Sequence, residues 1–287
     1  MTRSGHLRTI GFTVADNMKL KLDFYKAFGE HYPIRATSEI LLIVVGVLLA
    51  LAIDAWWAER QQRDSERRYL ESLLADVRTD VNEYAFLTSE LEAYQRATEI
   101  MIRVVDGHDV QTDSPSNFSK LLHCSTFLAV PVESRGTIDD LLSTGNLALL
   151  REGAIRRDVL AYIARIDASR QFIDEYRGYQ TGYRGIVLEF WPLIDVDDDL
   201  TDTKILSAAL RSDARIRPAM NRMQYGQRRM RMETIANGDD ATGTAIELEG
   251  ALRRAGGDPR TVIHAPGPSE QFHSGCTEAV SSQTVPI

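Results

Sequence analysis

The run Ile40–Ile53, ILLIVVGVLLALAI, has fourteen residues without a polar side chain, and no other stretch of the chain constrains the fold as strongly. Alone it suits a buried helix or the core of a secretion signal. The flanks extend it. Asp54 is followed by Ala55, Trp56, Trp57 and Ala58, so Ile40 to Ala58 is nineteen residues with one charge near an end. At helical rise this length covers about 28 Å, close to a bilayer's hydrocarbon thickness. Trp56 and Trp57 fall where interfacial anchors sit, with Arg60 and Arg63 just beyond. The sequence therefore predicts a transmembrane helix over 39–58, and lipid bilayer as the first partner. Ala50-Leu51-Ala52 has the form of a signal-cleavage site. The long basic region before it and the helical pattern running through it favour an uncleaved anchor.

Charge sets the expected orientation. Residues 1–38 form a short basic tail carrying Arg3, Arg8, Lys19, Lys21, Lys26 and Arg35. Short flanking segments obey the positive-inside rule, whereas long domains cross largely regardless of charge. The expectation is a single-pass protein of the inner membrane, with a cytoplasmic N-terminus and a periplasmic C-terminal domain. Within the span, Gly46, Ala50 and Asp54 recur every four residues and share a face, with Glu39 nearly in line. Small residues at that spacing let helices approach closely, and a carboxylate near lipid prefers a protein or aqueous neighbour. Gly46, Ala50 and Asp54 are thus candidates for a membrane-helix contact; ordinary span residues with acids marking the interfaces are the plainer reading.

Two blocks resemble a family of uncharacterised bacterial proteins with one N-terminal transmembrane helix. The first is Glu39 to Leu51 followed by Ile53, Trp56 and Glu59; the second is Thr137-Ile138-Asp139-Asp140-Leu141-Leu142-Ser143-Thr144-Gly145-Asn146-Leu147, then Leu149-Leu150 and Ile155-Arg156. The likeness spans roughly residues 36 to 170. Ala55-Trp56-Trp57 departs from the family's Asn-Trp junction, so no role of that asparagine carries over. The resemblance implies a membrane-anchored helical protein and supplies no activity or catalytic residues.

Beyond the span, no proline or glycine interrupts Glu59 to Asp106. Leu70, Val77, Tyr84 and Leu91 recur in steps of seven among further apolar residues at steps of three and four, predicting an amphipathic helix continuous with the span. Asp80 and Thr98 break the seam, which favours a bundle over an extended coiled coil. Gly107 is the expected stop. Further helices are expected around Leu121 and Leu122, over 137–144 with Gly145 as its C-cap, over 152–190, from Asp202 or Thr203 through Leu210, from about Pro218, and over 241–255. Gly178, Gly182 and Gly185 either admit a close neighbour or break their helix. With no strong alternating pattern, the fold class is all-α: an antiparallel bundle over 59–257, then a poorly ordered tail over 258–287.

Chemistry-bearing motifs are few. There is no phosphate-binding glycine loop, dinucleotide fingerprint, helical zinc pair or nucleophile elbow. His123 beside Cys124 could form a thiolate–imidazole pair, but neighbours on a helix point about 100° apart. His264, His273 and Cys276 are loosely spaced, and Asp195, Asp197, Asp198, Asp199 and Asp202 lack the glycine and terminal glutamate of a calcium loop. No catalytic, cofactor or metal residue is assigned. The two cysteines cannot make a framework, and whether they pair is left open. The most polarised segment carries Arg211, Arg215, Arg217, Arg222, Arg228, Arg229 and Arg231 against one acid, Asp213, with Met220, Met223 and Met230 as an apolar stripe. Arg222, Arg228, Arg229 and Arg231 are candidates for an anionic partner, and internal pairing is the competing expectation. A net charge of -8 argues against general nucleic-acid binding. The function expected is a membrane-anchored, non-enzymatic interaction or scaffold module with a protein partner or homo-oligomer; an extracytoplasmic ligand sensor acting through a partner comes second, and a membrane-anchored enzyme third.

Overall fold

The computed structural model describes residues 32–108, 115–190, 202–264 and 275–281. All regular structure among them is helical: α1 Tyr32–Val105, α2 Pro115–Ser125, α3 Gly136–Ser143, a 3-10 turn Asn146–Leu149, α4 Gly153–Leu188, α5 Thr203–Ser212, α6 Ile216–Arg254, a 3-10 turn Pro259–Thr261 and α7 Cys276–Ser281. The chain divides into two units, up to Gln62 and from Arg63 onward. The first contains the apolar stretch of α1, the one described helix long and apolar enough to cross a membrane. Every side chain from Ser38 to Asp64 is exposed.

In the second unit three long helices, α1, α4 and α6, make the frame. Asp80 meets Tyr162, and Ser169 meets Asn237. Further along, Leu91 to Val104 pack with Ile173 to Val187, so α4 runs with α1, while Arg78 meets Glu249 and Arg231 meets Glu92, so α6 runs against both. Two apolar cores follow. Leu70, Leu73, Leu74 and Val77 pack with Ile155, Val159 and Ile166 of α4 and with Leu248 and Leu252 of α6, and α3 adds Ile138 and Leu141. The other core joins Leu91, Met101 and Val104 to Ile173, Tyr183 and Val187, to Met220, Met223 and Met230, and to α2, α5 and α7. The seven-residue seam of α1 is buried throughout, at Leu70, Val77, Tyr84 and Leu91.

Helix ends follow local chemistry. Gly107 (φ 92°) and Gly145 (φ 72°) take the left-handed conformation that ends a helix without Cβ strain. Asp202 caps α5 by accepting from the amides of Lys204 (2.9 Å) and Ile205 (3.1 Å). Three expectations are corrected. Residues 241–255 are the end of one 39-residue helix, α6. Its Gly226 and Gly238 are the positions of close approach, where an added Cβ would lie 3.4 Å from Tyr179 and 3.2 Å from Tyr84. Gly178, Gly182 and Gly185 neither break α4 nor meet a neighbour.

The third concerns only the described parts of 258–287, residues 258–264 and 275–281. Arg78 donates to the carbonyls of Pro259 (2.9 Å) and Val262 (3.2 Å), holding that turn against α1. Further on, Cys276 is bonded to Cys124, with Cα atoms 5.7 Å apart, and this seats α7 on α2. Thr277 donates to one oxygen of buried Glu90 (3.0 Å) and Tyr94 to the other (2.9 Å), so α7 also completes the partners of a buried carboxylate.

Candidate functional site

The two apolar cores meet at a layer of buried polar groups. Asp80 is 1% exposed. One carboxyl oxygen accepts from the amide of Ser134 (2.7 Å) and the other from the hydroxyl of Tyr162 (2.7 Å). Glu133, whose side chain is 3% exposed, accepts from Arg170 at 3.4 Å and lies 3.5 Å from the hydroxyl of Tyr84. A little further along, Asn237 and Ser169 bond to each other across α6 and α4. Burial pushes the Asp80 carboxyl up to about 7, against the two hydrogen bonds, with Glu133 and Asp76 adding like-charge repulsion. The Tyr84 and Tyr162 hydroxyls are likewise pushed well above the usual phenol range, mainly by burial. Burial thus favours the protonated Asp80 carboxyl over the charged one.

Two members of the layer, Tyr162 and Glu133, each line a cleft. One, about 320 Å³, is lined by Asp158, Tyr162, Arg165, Asp239, Asp240 and Glu247, with Arg165 paired to Asp240. The other, about 330 Å³, includes Val130, Pro131, Glu133, Arg170, Ile173 and Arg177. Asp80 thus touches a lining residue of the first and lies beside a lining residue of the second.

Carboxylates of α1 also bind the mid-chain block 137–156. Asp76 accepts from the amide of Thr137 (3.0 Å), at the start of α3, and Glu66 from that of Arg151 (2.8 Å). The Tyr69 hydroxyl donates to Asp140 (3.1 Å) and accepts from Asn146 (3.0 Å). The polar residues of this block therefore dock a short helix whose amides need partners.

The arginine segment divides. Arg211 donates to the Val104 carbonyl (2.7 Å), Arg215 binds Glu189 and Asp213, Arg217 binds Asp106 (2.7 and 2.9 Å), Arg229 binds Glu233 (3.3 Å) and Arg231 binds Glu92 (2.9 Å). Arg215 holds Glu189 and Asp213 below the usual carboxylate range. Arg222 and Arg228 are exposed and have no ion pair among the described residues. Of the four candidates for an anionic partner, Arg229 and Arg231 are thus engaged within the domain, and Arg222 and Arg228 stand at its surface. Met220, Met223 and Met230 are buried.

In the other unit, Gly46, Ala50 and Asp54 lie on an exposed helix, and an added Cβ at Gly46 meets nothing within 4 Å. Trp56 and Trp57 are 59% and 62% exposed, their rings 6.3 Å apart. The thiolate–imidazole idea fails, because Cys124 is in the disulfide. His123 packs edge-on against Phe127, and burial beside Arg184 lowers its pKa. Cys276 is equally unavailable to a metal, His264 is exposed, and His273 lies outside the described residues. So do Asp195, Asp197, Asp198 and Asp199. Among the described residues no group of three or more His, Cys, Asp or Glu side chains could hold a metal ion.

Comparison with protein-family models, with curated proteins and with solved structures gives no match. The family likeness of the two sequence blocks gains nothing from it, and what stands is the architecture: one apolar helix long enough to span a membrane, with a helical bundle.

Proposed function

We propose that this chain is a membrane-anchored, non-enzymatic interaction module whose helical domain lies outside the cytoplasm. The observation that carries the reading is the exposed apolar stretch of α1: Ile40, Leu41, Leu42 and Ile43 through Trp57 have no cover among the described residues, and water is a poor solvent for such a surface. Lipid covers it at the least cost. The Cys124–Cys276 pair supports the orientation, because structural disulfides persist in oxidising compartments and are rare in the cytosol. It agrees with the basic N-terminal tail held inside. A reporter enzyme active only outside the cytoplasm, fused after Ala255, is expected to work. Activity solely of a cytoplasm-dependent reporter at that site would reverse the orientation.

An interaction role follows from what the domain offers: paired charges, exposed apolar side chains on its long helices and two shallow clefts. Purification of the full chain in mild detergent, with mass spectrometry and mass determination of the complex, is expected to recover it with a stoichiometric second protein or as an assembly with itself. Recovery as a lone monomer would remove this reading. A ligand sensor is the second reading, favoured by the two clefts, one lined by Tyr162, which bonds Asp80, and the other by Glu133. It would act through a partner and would show as a small molecule that raises the melting temperature.

A further inference from the structure

The cleft between residues 130–133 and α4 sets balanced charge beside an apolar wall. Val130, buried Pro131 and buried Ile173 make the wall. The charged lining is two cations, Arg170 and Arg177, and two anions, Glu133 and Asp174. Glu133 is the unusual member. Its side chain is 3% exposed, yet its hydrogen-bonding contacts among the described residues are those at 3.4 Å from Arg170 and 3.5 Å from the Tyr84 hydroxyl. Well-formed bonds from a guanidinium to a carboxylate are about 2.7–2.9 Å long, so this carboxylate is buried without a good partner. The two arginines are 49% and 58% exposed, and Arg177 meets Asp174 at 3.5 Å. Each guanidinium, with its five N–H donors, thus has one long contact to a carboxylate.

We infer that this cleft binds the zwitterion of an α-amino acid with an apolar side chain. A ligand with a single charge would match one sign of the lining and oppose the other, whereas a ligand carrying both charges meets both. Spacing selects the α-amino acid. Its ammonium and carboxylate are borne on one carbon, and Glu133 and Arg170 are likewise adjacent. Entry exchanges one long contact for two better ones: the ligand's ammonium donates to Glu133, and its carboxylate accepts from the planar fork of Arg170. Parting Arg170 from Glu133 costs little, because a long ion pair with a half-exposed arginine contributes little. The buried carboxylate then has the donor it lacks. The ligand's side chain lies on Val130, Pro131 and Ile173 and leaves water. A cleft of about 330 Å³ is at the small end of ligand pockets, which span roughly 300–1,000 Å³, and suits one amino acid rather than a peptide.

The inference rests on the sensor reading and names its ligand class; the interaction-module reading does not depend on it. Its test is titration calorimetry and thermal unfolding of the full chain in detergent with L-leucine, L-valine and L-phenylalanine, each beside its decarboxylated amine and its deaminated acid. At least one amino acid is expected to bind and to raise the melting temperature, and its two single-charge analogues to bind about tenfold or more weakly. E133Q, which keeps the shape of the side chain, and R170Q are each expected to weaken binding by a similar factor. The comparison of ligands on the wild type stands even if a variant does not fold. Binding of none of the three amino acids, an analogue that binds as well as its parent, or folded E133Q and R170Q chains that bind like the wild type would overturn the site. A melting temperature raised by a small molecule of another class, with no response to the amino acids, would overturn it while leaving the sensor reading in place.

Discussion

The double variant C124S/C276S is expected to lose about 5 kcal/mol of stability. The disulfide joins residues 152 apart in sequence, and closing so long a loop removes much freedom from the unfolded chain. Native-state losses add to this. Cys124 and Cys276 are 2% and 0% exposed, so serine would bury hydroxyl groups in the apolar core around them. Six-residue α7 is far too short to be helical on its own, so its release would uncover Leu121, Leu122 and Glu90's bond from Thr277. Denaturant unfolding of the full chain in detergent, wild type against variant, measures the change. Equal midpoints, or two free thiols titrated in the folded wild type, would show that the pair does not hold the fold.

Asp80 is expected to make the domain less stable as pH rises. Its folded pKa, about 7, lies above its unfolded value near 4. The folded state therefore holds the extra proton between those values. The stability it contributes is complete below about pH 4, falls through the window to pH 7 and is gone above it, a change of about 4 kcal/mol. Asp80 is fully buried, so solvent does little to screen it. The groups facing it are the Ser134 amide, Tyr162, Tyr84, Glu133 and Asp76, and none of these is a cation that could hold the charged form. In D80N the amide oxygen can accept from Ser134, its nitrogen can donate to Tyr162, and the Tyr162 hydroxyl proton can turn to Tyr84. The pH dependence of wild type minus D80N isolates the carboxyl from every other acid. The variant is expected to be the more stable protein above pH 7 and nearly flat across pH 4–8 at this site. Parallel curves would show that Asp80 does not carry the proton.

Features that depend on neighbours along the chain are legible in the sequence. Fourteen apolar residues in a row, a seam of Leu70, Val77, Tyr84 and Leu91, the stops at Gly107 and Gly145 and the cap at Asp202 all follow from local chemistry, and each stands as expected. What is not legible depends on the tertiary partner. Asn237, Gly238, Asp239 and Asp240 look like a helix break, yet α6 passes through because Asn237 has Ser169 and Gly238 admits Tyr84. The disulfide does not follow from spacing, since only the fold brings residues 152 apart together. The buried polar layer does leave a signal, one that resembles a mere imperfection of the heptads. Asp80 and Thr98, which interrupt them, are both buried and bonded: Asp80 to Ser134 and Tyr162, Thr98 to the carbonyls of Tyr94 and Ser125. A polar residue on an apolar seam marks a place where another segment brings a partner. The arginine segment is half legible, because composition shows the excess of cations, whereas exposure alone separates Arg222 and Arg228 from the five held by the domain.

Between Cys124 and Cys276 the backbone and one sulfur–sulfur bond together form a closed covalent ring. A ring stays connected when it is opened once. A single break of the peptide chain anywhere between the two cysteines, in a loop or at a helix end, leaves both pieces joined, and both cores keep every segment that builds them. Before Cys124 the chain has no such second path: a break between α1 and α2 would part the anchored helix from everything that follows. The molecule is thus unevenly insured against cleavage, doubly connected across α3 to α6 and singly connected at its membrane end.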